Sequence, residues 1–511
     1  MILLLAFTAA ATSCDQLAQL SLPNTVIDKA ETVTAGVFQN IRDLPSFCRV
    51  AGSIRPTPDS DIRFEVWLPS SSWNGKFQGI GNGGYAGTIG YGGLGGAVRA
   101  GYAAASTDTG HGAGNGIDAS WALRHPEKIV DYGHRAIHET AVKGKAIVTA
   151  FYGSAPKRSY FTACSNGGRQ ALMEAQRYPE DYDGIIAGAP ANNFTRLLSS
   201  FVWGMKALLT EPGDYIPASK LKAIQAAALA SCDAGDKVTD GVIEEPSGCK
   251  PNLDTLRCQG AESDSCLTVG QLTALKKIYS GPSDAKGRSL FPGFSPGGEA
   301  DGGGWAPWIV GKDREQSAHF GFGTQLFKNM VYSDAKWDYR GFDLERDLKA
   351  ADEKMGPVLN SIDPDLRPFL KRGGKLILFH GWCDAAIPAE STVQYYESVL
   401  KKTGAKAARS GVRLFMAPGV QHCGGGAGAN LFGQGGPTAG ADAGADMDAA
   451  LERWVEQGVA PERIVASRRS EGKVEKTRPL CAYPAVAVWK GSGSTDDAGN
   501  FECAAPSARK K

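Results

Sequence analysis

Residues 158–178 read RSYFTACSNGGRQALMEAQRY, and their pattern changes from strand to helix at Ser165. The first six residues are β-prone, and the stretch from Gly167 to Tyr178 has the composition of a helix that ends before Pro179. A serine in a tight turn between strand and helix is typical of a nucleophile elbow, where small neighbours expose the hydroxyl. The usual first glycine is absent, because Ala163 stands at its position. Since Ser-x-Gly also occurs in many ordinary loops, the motif needs support from elsewhere in the chain.

Two later segments place a carboxylate and a histidine after predicted strands. The apolar strand 375–379, of the buried parallel kind, leads to Asp384, and the strand 412–417 leads to His422. The chain order Ser165, Asp384, His422 is the α/β-hydrolase order, and it differs from the chymotrypsin and subtilisin orders. Taken singly, Asp384 is equally well explained as a turn former or helix cap, and His422 as a loop histidine among glycines. Together the three residues predict a Ser-His-Asp triad on an α/β fold.

Cysteines stand directly beside two of these residues, Cys164 before Ser165 and Cys423 after His422. A disulfide between them would hold their Cα atoms about 4.4–6.8 Å apart. The serine and the histidine would then be near neighbours, as nucleophilic catalysis requires. This pair of sites favours a secreted serine esterase.

A glycine-rich loop after the predicted strand 76–80 is the candidate for half of an oxyanion hole. The loop contains Gly83 and Gly84, and glycines there let a backbone N–H approach an ester oxygen. We assign the first donor to Gly84, with Gly83 as the neighbouring alternative, and the second to Asn166, which follows the nucleophile. A flexible glycine loop without such a role is the competing interpretation.

These motifs resemble one known family. The combination of Cys-Ser, Asp and His-Cys, with Gly-Asn-Gly-Gly at 81–84 and His-Gly-Trp-x-Asp at 380–384, resembles the tannase/feruloyl esterase family from about Cys14 to Cys503. The resemblance implies an α/β-hydrolase core, a large inserted lid domain, a structural calcium ion (Ca2+) in the lid, and esters of aromatic acids as substrates. Mono(hydroxyethyl) terephthalate hydrolase belongs to the same family.

The division of the chain follows from composition and from this resemblance. Residues 1–13 have the apolar run and small residues of a signal-peptide remnant without its basic start. A lipoprotein anchor at Cys14 is the disfavoured alternative. We predict a catalytic domain over 14–191 and 363–511, and a lid over 192–362, where the strand–helix alternation is lost.

Eleven cysteines fit an oxidising compartment, so we expect a secreted or periplasmic protein. Sequence alone leaves their connectivity open. Proximity and the family resemblance imply five disulfides: Cys14–Cys48, Cys164–Cys423, Cys232–Cys249, Cys258–Cys266 and Cys481–Cys503. Cys383 is left over, and we interpret it as a buried free thiol rather than a nucleophile, because no histidine is held next to it.

The predicted lid contains an acidic loop between two cysteines. Three aspartates within eight residues repel one another unless a cation joins them, and calcium accepts carboxylate and carbonyl oxygens. The family resemblance implies side-chain ligands at Asp233, Asp236 and Asp240 and backbone carbonyl ligands at Val238 and Val242. The spacing is not that of an EF-hand, and a solvated acidic turn is the alternative.

The substrate is less well defined than the triad. A flat apolar slot could be formed by Trp305, Trp308, Phe320, Phe322, Tyr332 and Ile387. Residues of this kind more often form the core of a lid than a substrate wall, so none is assigned to the site. Lys328 lies in a segment that resembles the substrate-facing edge of the family's lid, a region in which the terephthalate monoester hydrolase uses an arginine, and lysine lacks the bidentate pairing with a carboxylate. We therefore rank hydroxycinnamate esters first, gallate esters second and terephthalate monoesters third.

Composition limits the partners. The 55 basic and 54 acidic residues nearly cancel, so neither nucleic acid nor an anionic membrane surface is expected as a partner. No predicted segment is long and apolar enough for a membrane span. A catalytically silent binding module is the non-enzymatic alternative, and the oligomeric state is left open.

Overall fold

The computed structural model describes residues 11–112 and 114–506. The predicted signal-peptide remnant falls mainly on residues 1–10, which lie outside the described residues. In chain order the strands are β1 (Thr25–Val33), β2 (Gly36–Phe38), β3 (Ile41–Leu44), β4 (Phe47–Ile54), β5 (Ile62–Pro69), β6 (Lys76–Ile80), β7 (Ala103–Thr107), β8 (Arg158–Cys164), β9 (Gly184–Gly188), β10 (Lys375–Gly381), β11 (Val412–Ala417), β12 (Arg463–Ser470), β13 (Lys473–Cys481), β14 (Val486–Trp489) and β15 (Phe501–Ala504).

The helices complete the inventory of regular elements. They are α1 (Tyr91–Arg99), α2 (Pro126–Val130), α3 (Ala136–Tyr152), α4 (Asn166–Arg177), α5 (Phe194–Leu209), α6 (Leu221–Cys232), α7 (Val269–Ser280), α8 (Ala318–Gln325), α9 (Leu344–Lys354), α10 (Gly356–Leu359), α11 (Arg367–Lys371), α12 (Glu390–Thr403), α13 (Ala405–Arg409) and α14 (Met447–Gln457). No helix within the described ranges is long and apolar enough to cross a membrane.

A mixed sheet forms the centre of the molecule. Within the described residues it has nine strands in the order β1-β4-β5-β7-β6-β8-β9-β10-β11. The strands from β7 to β11 in this order are parallel, and β1, β4 and β5 add an antiparallel edge. The parallel strands β8, β10 and β11 end directly before the segments that carry Ser165, Asp384 and His422. Their side chains therefore meet at one edge of the sheet.

Helices cover both faces of this sheet, because side chains alternate along each buried strand. On β10, Leu376 and Leu378 pack with apolar residues of α3, α4 and α12. Ile377 and Phe379 point to the other face and pack with apolar residues of α1 and α14. This three-layer arrangement is the predicted α/β-hydrolase core.

Residues 192–362, here called the insert, lie between the neighbouring strands β9 and β10 and add no strand to the central sheet. Helices α5 to α10 belong to the insert, and their buried residues contribute to two further apolar clusters, one of which also includes residues between 85 and 132. Ala385 joins one of these clusters, and Ala386 and Ile387 join the other. The loop that carries Asp384 is therefore packed against the insert as well as against the core.

Most of the core elements predicted from the sequence are confirmed. The strands 76–80 and 412–417 have the predicted bounds, and the final helix has Asp446 as its N-cap and Gly458 in a left-handed conformation at its end. A π-helical turn at Asp131–Arg135 separates α2 from α3. Sequence analysis missed the antiparallel strands β1 and β4, because they lack a continuous apolar run.

Five disulfides occur in the described chain, and they are the pairs that the family resemblance implied. In the Cys164–Cys423 bridge the Cα atoms are 5.9 Å apart across a sequence separation of 259 residues. Cys383 is unpaired and buried. Burial raises the pKa of its thiol, which is the state of an inert rather than a nucleophilic cysteine.

Candidate active site

Ser165 occupies the turn between β8 and α4 in a conformation that non-glycine residues rarely adopt. Its φ is 67° and its ψ is −128°, and its backbone N–H donates to the carbonyl of Gly188 at 2.9 Å. Strain of this kind is frequent at functional sites, where the surrounding structure holds it in place. A Cβ atom at Gly168 would lie 2.3 Å from the same carbonyl oxygen, so only glycine fits there.

The structure explains why this turn tolerates Ala163 in place of the usual glycine. Cβ atoms built at Gly81 and at Gly167 would each lie 2.6 Å from the methyl group of Ala163. Two glycines therefore leave the space that the alanine side chain fills. The turn retains its close packing with a different distribution of small residues.

A continuous hydrogen-bonded chain connects the three residues of the predicted triad. The Nε2 atom of His422 lies 2.9 Å from Oγ of Ser165, and its Nδ1 atom lies 2.8 Å from Oδ2 of Asp384. The Cys164–Cys423 disulfide lies next to this contact in both chain segments. This geometry allows His422 to accept the serine proton while Asp384 orients the imidazole.

Asp384 is held by more groups than His422 alone. Its Oδ1 atom accepts hydrogen bonds from the backbone N–H groups of Ala386 and Ile387 at 2.7 and 2.9 Å. Burial alone would raise its pKa, but His422 and His380 lower the pKa well below the usual range for aspartate. The carboxylate is therefore ionised at neutral pH, as an orienting acid must be.

His380 is a contact of the acid for which sequence analysis assigned no role. The ring is fully buried, and its Nε2 atom lies 3.0 Å from Oδ2 of Asp384 while Nδ1 lies 2.7 Å from the hydroxyl of Thr392. A neutral ring that donates from Nε2 and accepts at Nδ1 satisfies both contacts. The His-Gly-Trp-x-Asp motif contained this residue, and its position four residues before the acid was the available signal.

Gly84 and Asn166, the predicted oxyanion-hole residues, lie next to each other. The hydroxyl oxygen of Tyr132 is 3.0 Å from the carbonyl oxygen of Gly84 and 2.9 Å from Oδ1 of Asn166. Gly84 has a φ of +54°, and a Cβ atom there would lie 2.2 Å from the carbonyl oxygen of Gly116. The structure thus brings the glycine loop to the nucleophile turn, as the oxyanion assignment requires.

Aromatic residues of the insert cover the histidine. The ring of Trp308 lies 5.0 Å from that of His422 in an edge-on arrangement, and Phe322 lies 6.3 Å from Trp308. The Tyr85 hydroxyl donates to the Phe322 carbonyl at 2.8 Å, which connects the insert to the glycine loop. Trp308 is therefore the aromatic candidate whose ring contacts the triad histidine, and Phe322 connects it to the glycine loop.

The other members of that set have different surroundings. Trp305 packs edge-on against Tyr279, Phe320 against Tyr339, and the Tyr332 hydroxyl contacts Asp347. Ile387 belongs to a buried cluster of the insert and follows Asp384 closely in the chain. The structure assigns most of these side chains to the core of the insert.

Lys328 lies near the surface of the insert. Its positive charge contributes to the lowered pKa of Asp338, a fully exposed carboxyl group, after the larger contributions from Arg340. Lys328 itself belongs to the π-helical turn Leu326–Val331 and is half-buried.

In the acidic loop that the resemblance assigns to calcium, backbone N–H groups of the loop donate hydrogen bonds to its aspartates. Oxygens of Asp233 accept from the N–H groups of Asp240 and Gly241, and Oδ1 of Asp236 accepts from the N–H of Val238. Burial raises the pKa of Asp236, and the charge of Asp240 raises it further. A cation bound here would relieve this repulsion, so the donor set fits calcium.

Two basic side chains also reach this loop. The Nζ atom of Lys476 and a guanidinium nitrogen of Arg478 each lie 2.7 Å from Oδ2 of Asp240. Among the described residues, the three aspartates do not bring one oxygen each within 4.8 Å of one another. Calcium binding would therefore require these side chains to move closer, with Oδ1 of Asp240 and the carbonyls of Val238 and Val242 as further donors.

The arrangement of sheet, turn and hydrogen-bonded chain defines a hydrolase of the α/β-hydrolase class. Residues 48–504 match the family model described as tannase and feruloyl esterase. The chain belongs to this family and is a carboxylic ester hydrolase.

Relatives and solved structures agree with this assignment. The chain is 42% identical to an uncharacterized esterase of Xanthomonas campestris pv. campestris, over 98% of this chain and 92% of the relative. It is 32% identical to a probable feruloyl esterase B-2 of Aspergillus terreus, over 95% and 93% of the two chains. The crystal structure of feruloyl esterase B from Aspergillus oryzae matches with a TM-score of 0.88 and 29% identity, over 96% and 99% of the chains. Tannin acyl hydrolase from Aspergillus niger matches with a TM-score of 0.76 and 25% identity, over 98% and 94%.

Proposed function

We propose that this protein is a secreted serine esterase that hydrolyses esters of hydroxycinnamic-type aromatic acids. The observation that carries the proposal is the chain of contacts from Ser165 through His422 to Asp384 beside Gly84 and Asn166. A chain of this geometry is suited to acyl transfer, and hydrolysis of the acyl-enzyme follows from the same groups.

The proposed mechanism begins with proton transfer from Ser165 to Nε2 of His422 as the serine oxygen attacks the ester carbonyl. Backbone N–H groups of Gly84 and Asn166 stabilise the negative charge on the carbonyl oxygen. The imidazolium, stabilised by Asp384, then protonates the leaving alcohol. Water attacks the acyl-enzyme with the assistance of His422, and the aromatic acid is released.

Two observations support an aromatic acyl group. Trp308 presents an aromatic ring next to His422, Phe322 stacks with Trp308, and flat aromatic substrates pack favourably against such rings. Relatives of the chain include proteins named as feruloyl esterases, with tannin acyl hydrolase at lower similarity. The proposed order of substrates is hydroxycinnamate esters first, gallate esters second and terephthalate monoesters third, since a lysine at position 328 cannot pair with a free carboxylate in the bidentate manner of an arginine.

Two further features belong to the proposal. Five disulfides support function outside the reducing cytoplasm, in a secreted or periplasmic location. A structural calcium ion in the loop of Asp233, Asp236 and Asp240 is supported by the donor chemistry and by the raised pKa of Asp236. The ion would stabilise the insert, and no step of the proposed reaction uses it.

The test compares initial hydrolysis rates on methyl ferulate, methyl gallate and mono(hydroxyethyl) terephthalate, with Ser165→Ala as the matched control. We expect ferulate turnover in the native protein and none in the variant, with an unchanged melting temperature. Fluorophosphonate labelling of the native protein, but not of the variant, would identify the nucleophile independently. An active Ser165→Ala protein would refute the triad, and a native protein that neither turns over esters nor reacts with the label would favour a silent binding module.

A further inference from the structure

Tyr132 contacts both halves of the proposed oxyanion hole. Its hydroxyl lies 3.0 Å from the carbonyl oxygen of Gly84 and 2.9 Å from Oδ1 of Asn166, and the side chain has no exposure to solvent. Gly84 belongs to the loop after β6, whereas Asn166 is the first residue of α4. One hydroxyl group therefore connects two segments that are distant in sequence.

The side chain of Asn166 is fixed from a second direction by Arg169. The guanidinium donates from Nε to Oδ1 of Asn166 at 2.8 Å and lies 4.8 Å from the centre of the Tyr132 ring. The described chain gives Arg169 three further acceptors, the backbone carbonyl oxygens of Tyr132, Gly133 and Leu359. Because these groups hold a buried guanidinium in one orientation, Oδ1 of Asn166 faces Tyr132 rather than the substrate cleft.

The contact with Tyr132 fixes the peptide group that follows Gly84. The N–H of this peptide, that of Tyr85, donates to the carbonyl of Gly116 at 2.8 Å, and its carbonyl oxygen is the acceptor of the Tyr132 hydroxyl. The assigned oxyanion donor is the N–H of Gly84 itself, which belongs to the preceding peptide group. Because Gly84 has a positive φ and lacks a side chain, its neighbouring peptide groups rotate at low cost unless such contacts hold them.

The chemical state of the phenol suits this role. Burial raises the pKa of Tyr132 to about 12, although the charge of Arg169 opposes the shift. The phenol therefore keeps its proton at neutral pH. It has one proton for two acceptors, so the hydrogen bond is shared or alternates between Gly84 and Asn166.

We propose that Tyr132 is a positioning residue of the oxyanion hole, and that its hydroxyl fixes the Gly84 loop against the first turn of α4. The inference rests on the proposed function, because it assigns Tyr132 to the site formed by Ser165, Gly84 and Asn166. The hydroxyl touches neither the nucleophile nor the base, so it acts through the orientation of the two backbone donors.

The test is Tyr132→Phe, which removes only the hydroxyl. Direct loss of one oxyanion donor costs about 100- to 1,000-fold in kcat, so loss of a positioning group is expected to lower kcat on methyl ferulate about 10-fold, with KM within about twofold. The inhibition constant of phenylboronic acid, which forms a tetrahedral adduct with an active serine, should rise by the same factor. Inhibition by ferulic acid, a product without a tetrahedral centre, should stay unchanged.

The matched control is Tyr152→Phe. The Tyr152 hydroxyl also donates to a backbone carbonyl, that of Pro69 at 2.8 Å. Tyr152 is the last residue of α3 and lies about 24 Å along the helix from Ala136, the first residue of α3. We expect native kinetics and native boronate affinity in this variant. If Tyr152→Phe matched Tyr132→Phe in all readouts, the loss would be a general effect of removing a hydroxyl and the proposal would be wrong.

A second variant covers the case in which Tyr132→Phe folds poorly. Asn166→Ala keeps the backbone N–H but deletes the acceptor of Tyr132 and Arg169, and it should lower kcat with KM retained. If the two side chains act as one unit, the double variant should lose no more than the larger single loss. Losses of kcat that multiply in the double variant, or native kinetics in Tyr132→Phe, would overturn the inference. The proposed function would stand in either case, provided that the native protein shows Ser165-dependent turnover. Absence of any Ser165-dependent turnover would overturn both.

Discussion

Alanine at both Cys164 and Cys423 removes the cross-link beside the nucleophile and the histidine, and we expect losses of stability and of rate. The bridge closes a sequence separation of 259 residues, whereas Cys258–Cys266 closes only 8. In the chain-entropy model these separations correspond to about 5–6 and about 2–3 kcal/mol of stabilisation, respectively. The long bridge should therefore contribute about 3 kcal/mol more than the short one, which is the matched control.

The same change should reach the catalytic geometry. Asp384 still orients His422 in the variant, but the backbone next to the imidazole loses its covalent connection to the serine turn. Misplacement of a reacting group by about 1 Å costs on the order of 100-fold in rate, so we expect kcat to fall about 10- to 100-fold. The control variant should keep the native kcat, because its bridge lies within the insert.

Urea unfolding at 25 °C measures the free energies, and ester hydrolysis below the unfolding transition measures kcat per folded molecule. Equal stability losses in the two variants would contradict the loop-length argument. Native kcat in the Cys164→Ala/Cys423→Ala protein would show that hydrogen bonds alone position His422, and the proposed role of the bridge would be refuted.

Three further outcomes follow from the buried polar groups. The His380→Gln variant keeps a hydrogen-bond donor for Asp384 and should retain most of kcat. The His380→Leu variant removes this hydrogen bond and should lower kcat about 10-fold in steady-state assays. Equal kcat values in the two variants would exclude an effect of His380 through Asp384. Burial raises the pKa of Asp448 to about 7, so the folded state holds a proton that the unfolded chain releases near pH 4, and stability falls as pH rises from about 4 to 7. Asp448→Asn should remove the Asp448 contribution to this dependence and gain up to about 4 kcal/mol at pH 8, measured by urea unfolding. Equal pH dependence in the variant and the native protein would contradict this expectation. Chelation by EDTA should lower the melting temperature of the native protein but not that of the Asp236→Asn variant, and kcat of the folded protein should stay unchanged. An identical change in melting temperature in the two proteins would exclude calcium at this loop.

The sequence was most informative about the triad, because reactive residue types stand there beside cysteines or directly after predicted strands. A cysteine beside Ser165 and another beside His422 indicated their proximity without any knowledge of the fold. The buried strands of the parallel sheet were recognisable because both of their faces are apolar. The order of acid and base then followed from the strands that precede them.

Other features depend on contacts between distant segments and leave no local pattern. Tyr132 follows α2 in a π-helical turn, and nothing in its neighbourhood indicates a contact with Gly84 or Asn166. The buried position of His380 depends on Thr392, which comes from the next helix. Trp308 resembles any other tryptophan of the insert until the fold brings it to His422.

The small residues around Ala163 have a consequence for the order in which substitutions can accumulate in such a chain. An alanine at Gly167 would place its Cβ atom 2.6 Å from the methyl group of Ala163, while the next nearest atom is 3.2 Å away. The methyl group at 163 and a methyl group at 167 therefore exclude each other. Alanine at 167 would therefore require glycine at 163 on this backbone, so the two positions are expected to vary together.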